Sequence, residues 1–226
     1  MKITWLGQAG LMLETEGVCI IVDPYLSNSV AAIEPHNERR VPVDERFLSV
    51  TPDILVLTHN HLDHTDPETL AHYLGENTSV CVLASENAYL NVRKRFGGLK
   101  NNYVRFNAGT EWTERGIRFR AVYAEHSDSH AIGVLIEAEG KVYYVTGDTL
   151  YNARILSELP KHIDCVFIPV NGVGNNMNMT DAKRFCEKIG APAVPMHCGL
   201  FDGKDLNDFA YEKKIIPNFY KEIVLK

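Results

Sequence analysis

One segment constrains this chain more than any other: residues 58–66, with the sequence THNHLDHTD. The apolar run at residues 54–57 precedes it, and such a run predicts a buried strand. Asp66 and Pro67 follow as the N-cap and first position of a predicted helix. The segment is therefore predicted to form a tight strand-to-helix turn. Three of the chain's nine histidines fall within six residues, which favours a metal site over a loop whose histidines merely face solvent.

Length and charge set limits on the kind of protein. With 226 residues, 45% of them hydrophobic, the chain is predicted to form a single globular domain over residues 1–226. A net charge of −6 argues against nucleic acid as a partner, because nucleic-acid-binding proteins present a basic surface. We expect a small-molecule substrate, with a phosphate group as one option, and the sequence leaves a homo-oligomer open.

The chain's location is predicted from two further features. Its sequence contains no apolar run of the roughly 20 residues that a membrane span requires, and its N-terminus enters a strand-like pattern at once. The five cysteines are odd in number and mostly lie inside apolar runs, as buried reduced thiols do. A cytoplasmic protein without a membrane partner is the prediction.

The pattern of hydrophobic residues predicts a β-rich chain with interspersed helices. We expect strands at residues 3–6, 11–14, 18–22, 54–57, 80–84, 103–106, 110–113, 117–124, 132–138, 141–146, 165–170 and 193–196. Helices are expected to begin at Pro67, Ser85 and Asn152, and after Thr180 as an N-cap. Residues 26–50 show no period and predict a long loop. Two halves, each running from antiparallel strands into strand-helix units, predict a duplicated sandwich with the helices outside.

Several metal-binding residue types stand just past the ends of predicted strands. Besides the 58–66 segment, these are His126, Asp148 and His197. Ligand sites of α/β sheets gather at this end of the strands, and imidazoles with carboxylates bind Zn, Mn or Fe. His130 flanks the same loop as His126 and is an alternative ligand, although His126 lies nearer the strand end. Asp23 also ends a strand, where it either caps the next turn or orients a metal-bound imidazole.

In its order, the H-x-H-x-D-H segment followed by His126, Asp148 and His197 resembles the metallo-β-lactamase superfamily, over residues 1 to about 201. The resemblance implies an α/β fold, the αββα four-layer sandwich, with two divalent metal ions, Zn or Mn with Fe as a further candidate. It implies that one ion binds His59, His61 and His126, that the second binds Asp63, His64 and His197, and that Asp148 bridges them. Asp63 and Asp148 are the carboxylates predicted to act in catalysis.

Shorter motifs are similar to those of the L-ascorbate-6-phosphate lactonase branch: residues 5–10 (WLGQAG), 23–27 (DPYLS), 147–149 (GDT), 176–178 (NMN) and 195–197 (PMH). The resemblance implies a hydrolase that uses a metal-activated water, first of all on the lactone of a phosphorylated sugar acid. A metal-dependent phosphodiesterase is the alternative. A diiron redox protein on this fold carries Glu at the position of His61, so His61 argues against it. A binding module without catalysis would typically lack a ligand.

Candidate substrate contacts come from loops predicted to end near the same face. Gln8, Asn171 and Asn175 are such candidates. Arg39 and Arg40 are predicted to hold a phosphate through bidentate hydrogen bonds, against the alternative of ordinary surface arginines. Cys198, next to His197, is predicted to be a small buried apolar residue and not a ligand.

Overall fold

Two mixed β-sheets form the centre of the computed structural model, which describes residues 1–76, 78–98 and 100–225. Residue 226, the last of the predicted domain, lies outside the described residues. The strands of the first sheet lie side by side in chain order: β1 (Lys2–Gly7), β2 (Gly10–Thr15), β3 (Val18–Val22), β4 (Ile54–Leu57), β5 (Cys81–Ala84) and β6 (Asn102–Arg105). Strands β1 to β3 pair antiparallel, and β3 to β6 pair parallel.

The second sheet repeats this plan. Its strands, also neighbours in chain order, are β7 (Glu111–Glu114), β8 (Ile117–Tyr123), β9 (Ile132–Ala138), β10 (Lys141–Val145), β11 (Cys165–Pro169) and β12 (Ala193–Met196). Strands β7 to β10 pair antiparallel, and β10 to β12 pair parallel. The predicted duplication, from antiparallel strands to strand-helix units, is therefore present in the topology of both halves.

The alternating direction of side chains along each strand creates the layers of the sandwich. On β3, Ile20 and Val22 join a core cluster that also contains Phe119 and Val134 of the second sheet, whereas Ile21 faces the opposite way. Side chains of successive residues point to opposite faces of a sheet, so one strand contributes to two cores. The outer core of the first sheet is closed by α2 (Pro67–Tyr73) and α3 (Glu86–Phe96).

Helices also cover the second sheet. These are α4 (Ala153–Glu158) and α5 (Met179–Ile189), which contact β8 and β11 respectively. They bury Ile155 and Phe185 in the large core cluster. The result is the predicted α/β four-layer sandwich, with helices outside two facing sheets. In the described part of the chain, no helix combines the length and the apolar character that crossing a membrane demands.

The turn at the start of α2 forms as predicted. The Asp66 side chain accepts hydrogen bonds from the backbone N–H groups of Glu68 and Thr69 (3.3 and 3.1 Å), and Pro67 occupies the first position of the helix. These bonds satisfy N–H groups that a helix start leaves free. They fix the end of the 58–66 segment against the helix.

Two local predictions were wrong. Residues 26–50 contain α1 (Ser29–Ile33) and two 3₁₀ turns (Pro35–Asn37 and Glu45–Phe47) instead of a continuous loop. Helix α1 buries only Val30 and has no side-chain cap, so it leaves no periodic signal. Helix α5 is capped by Asn178, whose side chain accepts from the N–H of Asp181, and not by Thr180.

Candidate metal centre

The candidate ligands meet where five strands end. Asp23 follows β3, residues 59–64 follow β4, His126 follows β8, Asp148 follows β10 and His197 follows β12. The carboxyl ends of these five strands lie at one edge of the sandwich, which is also where ligand sites gather in open α/β sheets. Residues that are 138 positions apart, such as His59 and His197, therefore share one site.

The first group consists of three imidazoles. The Nε2 atoms of His59 and His126 lie 3.1 and 3.2 Å from Nδ1 of His61. Nδ1 of His59 and of His126 has a partner outside the group: the former faces Oγ1 of Thr58 (3.1 Å), and the latter donates to the carbonyl oxygen of Asn175 (3.2 Å). A hydrogen bond at one nitrogen directs the lone pair of the other toward the centre.

The second group combines imidazoles with carboxylates. Nε2 of His64 lies 3.4 Å from Nε2 of His197 and 3.7 Å from Oδ2 of Asp63. Oδ2 of Asp148 lies 3.4 Å from His64 Nε2 and 3.2 Å from His197 Nε2. Asp148 thus belongs to this group, and its charge also acts on His59 and His126 of the first group.

These distances and donor types fit metal ions. Two nitrogens bound to one tetrahedral ion at the usual distance of about 2.1 Å lie roughly 3.4 Å apart, close to the separations found here. Oδ1 of Asp148 is buried and has no hydrogen-bond partner among the described residues, and a buried carboxylate oxygen without a donor is costly unless a cation binds it.

Asp23 orients His64. Its Oδ2 lies 2.9 Å from Nδ1 of His64, and its Oδ1 accepts the backbone N–H of Thr58 at 2.8 Å. A carboxylate on Nδ1 directs the Nε2 lone pair of the ring into the site. Of the two roles considered for Asp23, the geometry supports the orientation of an imidazole.

Amide side chains surround the second group. Gln8 donates through Nε2 to Oδ2 of Asp63 (2.9 Å), and Asn176 donates to Oδ2 of Asp148 (2.8 Å). Nδ2 of Asn171 lies 3.0 Å from Nδ1 of His197, and its buried Oδ1 has no partner in the described chain. Rotating this amide by 180° lets Oδ1 accept the Nδ1 proton of His197, which leaves the Nε2 lone pair for a metal.

Several of these residues hold a left-handed backbone. The φ angles of Gln8, Asp23, Asn175 and His197 are 50°, 42°, 64° and 62°. Non-glycine residues rarely adopt this conformation, and it concentrates at functional sites. At Gln8 the strained turn directs the carbonyl oxygen to the backbone N–H of His197 (3.1 Å), so the loops after β1 and β12 are joined.

Burial and charge set the protonation of the ligands. Burial, followed by the positive charge of His64, holds the pKa of His59 well below its usual range, and burial also lowers the pKa of His126. Burial acts to raise the pKa of Asp148, but His197 and His64 outweigh it and hold that pKa well below its usual range. Burial likewise acts to lower the pKa of His197, but Asp148 outweighs it and the pKa rises to about 10. His59 and His126 are therefore neutral and Asp148 is ionised, which are the forms that bind cations, whereas a cation at His197 would have to displace the proton of that ring.

A cleft of about 550 Å³ opens onto these ligands. Asp63 is the more accessible carboxylate, with 22% of its side chain exposed against 6% for Asp148. Loops of both halves contribute to the walls of the cleft, including Gln8, Asn60, Ser127, Asn171 and Asn176.

The predicted substrate contacts divide into two sets. Gln8 and Asn171 line the cleft. Asn175 does not: its side chain is exposed, and it contributes its carbonyl oxygen to His126. The structure instead places the neighbouring residue, Asn176, against Asp148. In the sequence, Asn176 is indicated only as part of the NMN motif.

The structure does not bring Arg39 or Arg40 to the cleft. The guanidinium of Arg39 donates to the carbonyl oxygen of Tyr25 (2.9 Å) and to the hydroxyl of Tyr220 (2.7 Å). Arg40 is exposed, and its guanidinium lies beside Gly203. The phosphate-binding role predicted for these arginines has no support in this geometry.

His130 and Cys198 lie apart from the ligand groups. The ring of His130 is exposed and faces the hydroxyl of Ser129, so that the structure brings His126, and not His130, to His59 and His61. Cys198 borders the cleft but is buried, and burial raises the pKa of its thiol to about 12. A neutral thiol is a poor metal ligand.

Asp128 is a site-forming residue that the sequence pattern did not single out. It is 8% exposed, and its Oδ2 accepts the backbone N–H of Asn60 at 3.0 Å. Asn60 separates His59 from His61, so Asp128 fixes the loop that carries both. The signal was present, since Asp128 stands two residues after His126, but an aspartate in a polar loop is common.

Comparisons with known proteins identify the family of this chain. The family model described as beta-lactamase superfamily domain matches residues 2–197. A UPF0173 metal-dependent hydrolase of Ligilactobacillus salivarius is 32% identical over 219 residues, covering 92% of this chain and 91% of that protein.

Solved structures show the same fold. Igni18, a metallo hydrolase of Ignicoccus hospitalis, is 20% identical with a TM-score of 0.75, over 98% of this chain and 97% of that one. A possible metal-dependent hydrolase of Veillonella parvula is 17% identical with a TM-score of 0.81, over 100% and 99% of the two chains. The chain belongs to the metallo-β-lactamase superfamily and, within it, to the UPF0173 metal-dependent hydrolases.

Proposed function

We propose that this chain is a dinuclear hydrolase that opens a lactone or a closely related ester with a metal-activated water. One ion would bind His59, His61 and His126; the second would bind Asp63, His64 and His197, with Asp148 between them. The observation that carries the proposal is the convergence of two ligand groups at one edge of the sandwich, with Asp148 against the second group and its buried Oδ1 without a partner among the described residues. Zn and Mn suit this donor set, and Fe is accepted by the same ligands.

The residues of the chain have distinct tasks in such a reaction. When bound, two divalent ions lower the pKa of a water toward neutrality and polarise the oxygen under attack. Asp148, held by Asn176, keeps the two ligand groups together. Asp63 is the carboxylate that reaches the cleft, and we propose that it accepts the proton of the attacking water and returns it to the leaving oxygen. Gln8, which donates to Asp63, fixes the orientation of that carboxylate.

The resemblance noted in the sequence implies a lactone of a phosphorylated sugar acid. The acyl part of that prediction needs only the metal centre, and we retain it. Its phosphate part relied on Arg39 and Arg40, which lie outside the cleft. A phosphodiesterase remains the alternative reaction, and nothing in the cleft favours it over acyl transfer. We propose that the reaction takes place in the cytoplasm on a small molecule, in line with the five cysteines, all described and all unpaired.

Metal content and hydrolysis test the proposal together. The purified protein should contain close to two divalent ions per chain and should hydrolyse members of a lactone panel. His126→Ala should lose one of these ions and the activity. The matched variant His130→Ala should keep both ions and the activity, because the ring of His130 lies outside the ligand groups. Equal metal content and activity in the two variants would refute the site. Faster turnover of bis(p-nitrophenyl) phosphate than of every lactone would favour the phosphodiesterase.

A further inference from the structure

We infer that the substrate of this cleft carries no negative charge away from its reacting group and presents an apolar group to the cleft walls. This inference rests on the proposed function, because it concerns the part of the substrate that the metal ligands do not contact. Two independent features of the walls support it: the sign of their charges and the exposure of their apolar residues.

Charges on the cleft walls are negative. Beyond the ligands, Glu34 and Asp202 line the cleft, and among the described lining residues there is no lysine or arginine. Glu34 lies between α1 and the following 3₁₀ turn, and Asp202 follows His197 in the loop after β12. A phosphate or carboxylate on the distal part of a substrate would meet both carboxylates without a cation to balance it, which is an effective way to reject a ligand.

Two basic side chains of loops next to the cleft, Arg39 and Lys204, are committed to other hydrogen bonds. Arg39 is bound to Tyr25 and Tyr220, as described above. The ammonium group of Lys204 donates to the carbonyl oxygen of Asn171, in the loop that follows β11. Neither group borders the cleft, so neither can neutralise an anionic substrate without leaving its present partners. Arg40, beside Gly203, is likewise not among the residues that line the cleft.

Apolar residues from both halves of the sandwich stand exposed in the same cleft. Ile33 of α1 is 65% exposed, and Val173 of the loop after β11 is 60% exposed. Both line the cleft, together with Leu62 and Phe201. Ile33 belongs to the first half of the sandwich and Val173 to the second. A ligand that contacts both residues would therefore remove apolar surface of both halves from water. Clefts of this size that combine an apolar lining with a few convergent polar groups are typical of small-molecule sites.

The ions themselves do not reverse this expectation. Two divalent ions, if bound, would leave a positive centre with Asp63 and Asp148 that attracts the oxygen of the reacting carbonyl. That attraction would act at the ligands, whereas Glu34, Asp202, Ile33 and Val173 line the cleft outside both ligand groups. A neutral lactone with an alkyl substituent suits both the ligand groups and the rest of the cleft, with its ring at the ligands and its alkyl chain against Ile33 and Val173.

A matched series of γ-lactones tests the inference on the metal-loaded enzyme. The ring is kept constant, and its substituent is pentyl, hydroxymethyl, a carboxylate-ended chain or phosphomethyl. We expect kcat/KM for the pentyl compound to exceed that for each anionic compound at least tenfold, and also to exceed that for the hydroxymethyl compound. Equal or faster turnover of an anionic compound would overturn the charge part, and equal turnover of the hydroxymethyl compound would overturn the apolar part.

Variants connect these preferences to the walls. Ile33→Ser and Val173→Ser should raise KM for the pentyl lactone and leave the hydroxymethyl lactone unchanged. Val224→Ser, at a residue that is 69% exposed outside the cleft, is the control and should change neither. Glu34→Gln and Asp202→Asn, which keep a side-chain hydrogen-bond acceptor, should reduce the disadvantage of the anionic lactones, whereas Glu38→Gln should not. An unchanged preference in both wall-charge variants would contradict the inference.

Failure of the proposed function has a different signature. In that case the protein holds its metals but hydrolyses none of the four lactones. Binding then decides the inference: ligand-observed NMR should detect the pentyl lactone and not the phosphomethyl lactone, and Ile33→Ser should weaken the signal. Preferential binding of the phosphomethyl compound would overturn the inference even without turnover.

Discussion

Asp128 belongs to the second half of the chain but holds a loop of the first half. Its Oδ2 accepts from the backbone of Asn60, and its Oδ1 accepts from Asn87 Nδ2 (2.7 Å) and the backbone N–H of His130 (2.9 Å). Burial acts to raise the pKa of Asp128, but these donors outweigh it and the pKa is lowered. The ionised carboxylate therefore positions the peptide between His59 and His61 without contacting the centre.

Asp128→Asn should weaken metal binding because one of its acceptor oxygens becomes an amide nitrogen facing a donor. We expect the affinity of the site to fall roughly 10–100-fold, as for other residues that orient metal ligands. Competition against a chromophoric chelator measures it. Asp164→Asn is the control. Asp164, just before β11, also accepts a backbone N–H, that of Val142 (2.7 Å). Equal metal affinity in Asp128→Asn and the control would show that Asp128 has no positioning role.

At the scale of single residues, ligand types could be predicted and side-chain directions could not. His126, Asp148 and His197 stand just after strands, so their positions follow from the pattern of the strands. Asn175 and Asn176 are identical in type and adjacent in sequence. The left-handed φ of 64° at Asn175 decides which of them turns inward, and sequence patterns contain no signal for that torsion.

The start of α5 illustrates the same limit for an element. Both Asn178 and Thr180 are good N-cap residues, and propensity alone does not separate them. An isolated bridge between Asn171 and Asn178, together with the bond from Gly172 N to Met177 O (3.1 Å), closes the loop before the helix. This closure fixes Asn178 at the cap position. Strands gave stronger signals because apolar residues alternate or run together in them.

The cap of α5 can be tested by comparing two substitutions. Asn178→Ala removes the acceptor for the N–H of Asp181 and should lower the free energy of unfolding by about 1 kcal/mol. Thr180→Ala, at an exposed position inside the first turn, should change it by less than about 0.5 kcal/mol. Urea unfolding of both variants gives the comparison. A larger loss in Thr180→Ala would restore the cap predicted from sequence.

The turn between β10 and Asp148 depends on Gly147. Its φ is 60°, and a Cβ there would lie 2.5 Å from the carbonyl oxygen of Ile132 and 3.1 Å from Cβ of Thr58. Thr58 precedes His59, so any shift that makes room for a methyl group moves Asp148 and the first histidines relative to each other. Glycine is therefore required both for its backbone conformation and for the close approach of two loops.

Gly147→Ala should destabilise the protein more than an equivalent change in an open turn. Gly140→Ala is matched in backbone conformation, with φ of 71° and no described atom within 4 Å of the position that a Cβ would take, and should cost about 1 kcal/mol for the left-handed conformation. Gly147→Ala should add roughly 1–3 kcal/mol for overpacking and should reduce metal content, whereas Gly140→Ala keeps it. Chemical denaturation with metal analysis measures both effects, and equal losses in the two variants would contradict the steric argument.

On the scale of the whole molecule, local patterns could predict each of the two halves, whereas only the family resemblance could predict their junction. Each half has its own run of antiparallel strands and strand-helix units, which local patterns reveal. The junction depends on contacts between distant residues, such as the hydrogen bond from Ile132 N to Thr58 O (3.1 Å) and that from His197 N to Gln8 O. The candidate metal ligands come from both sides of the same junction: residues 59–64 belong to the first half, and His126, Asp148 and His197 to the second.

Metal binding should therefore stabilise both halves together. At free metal about 100-fold above the dissociation constant, binding to the folded state alone adds about 2.7 kcal/mol. Hydrogen exchange with and without metal should show this gain at globally exchanging amides of β4 and of β12 alike, and chelation should remove it from both. His126→Ala, which lacks one ligand from the second half, should show a smaller gain in both sheets. Protection confined to the first sheet would mean that the ions bind residues 59–64 alone, and that they do not join the halves of the sandwich.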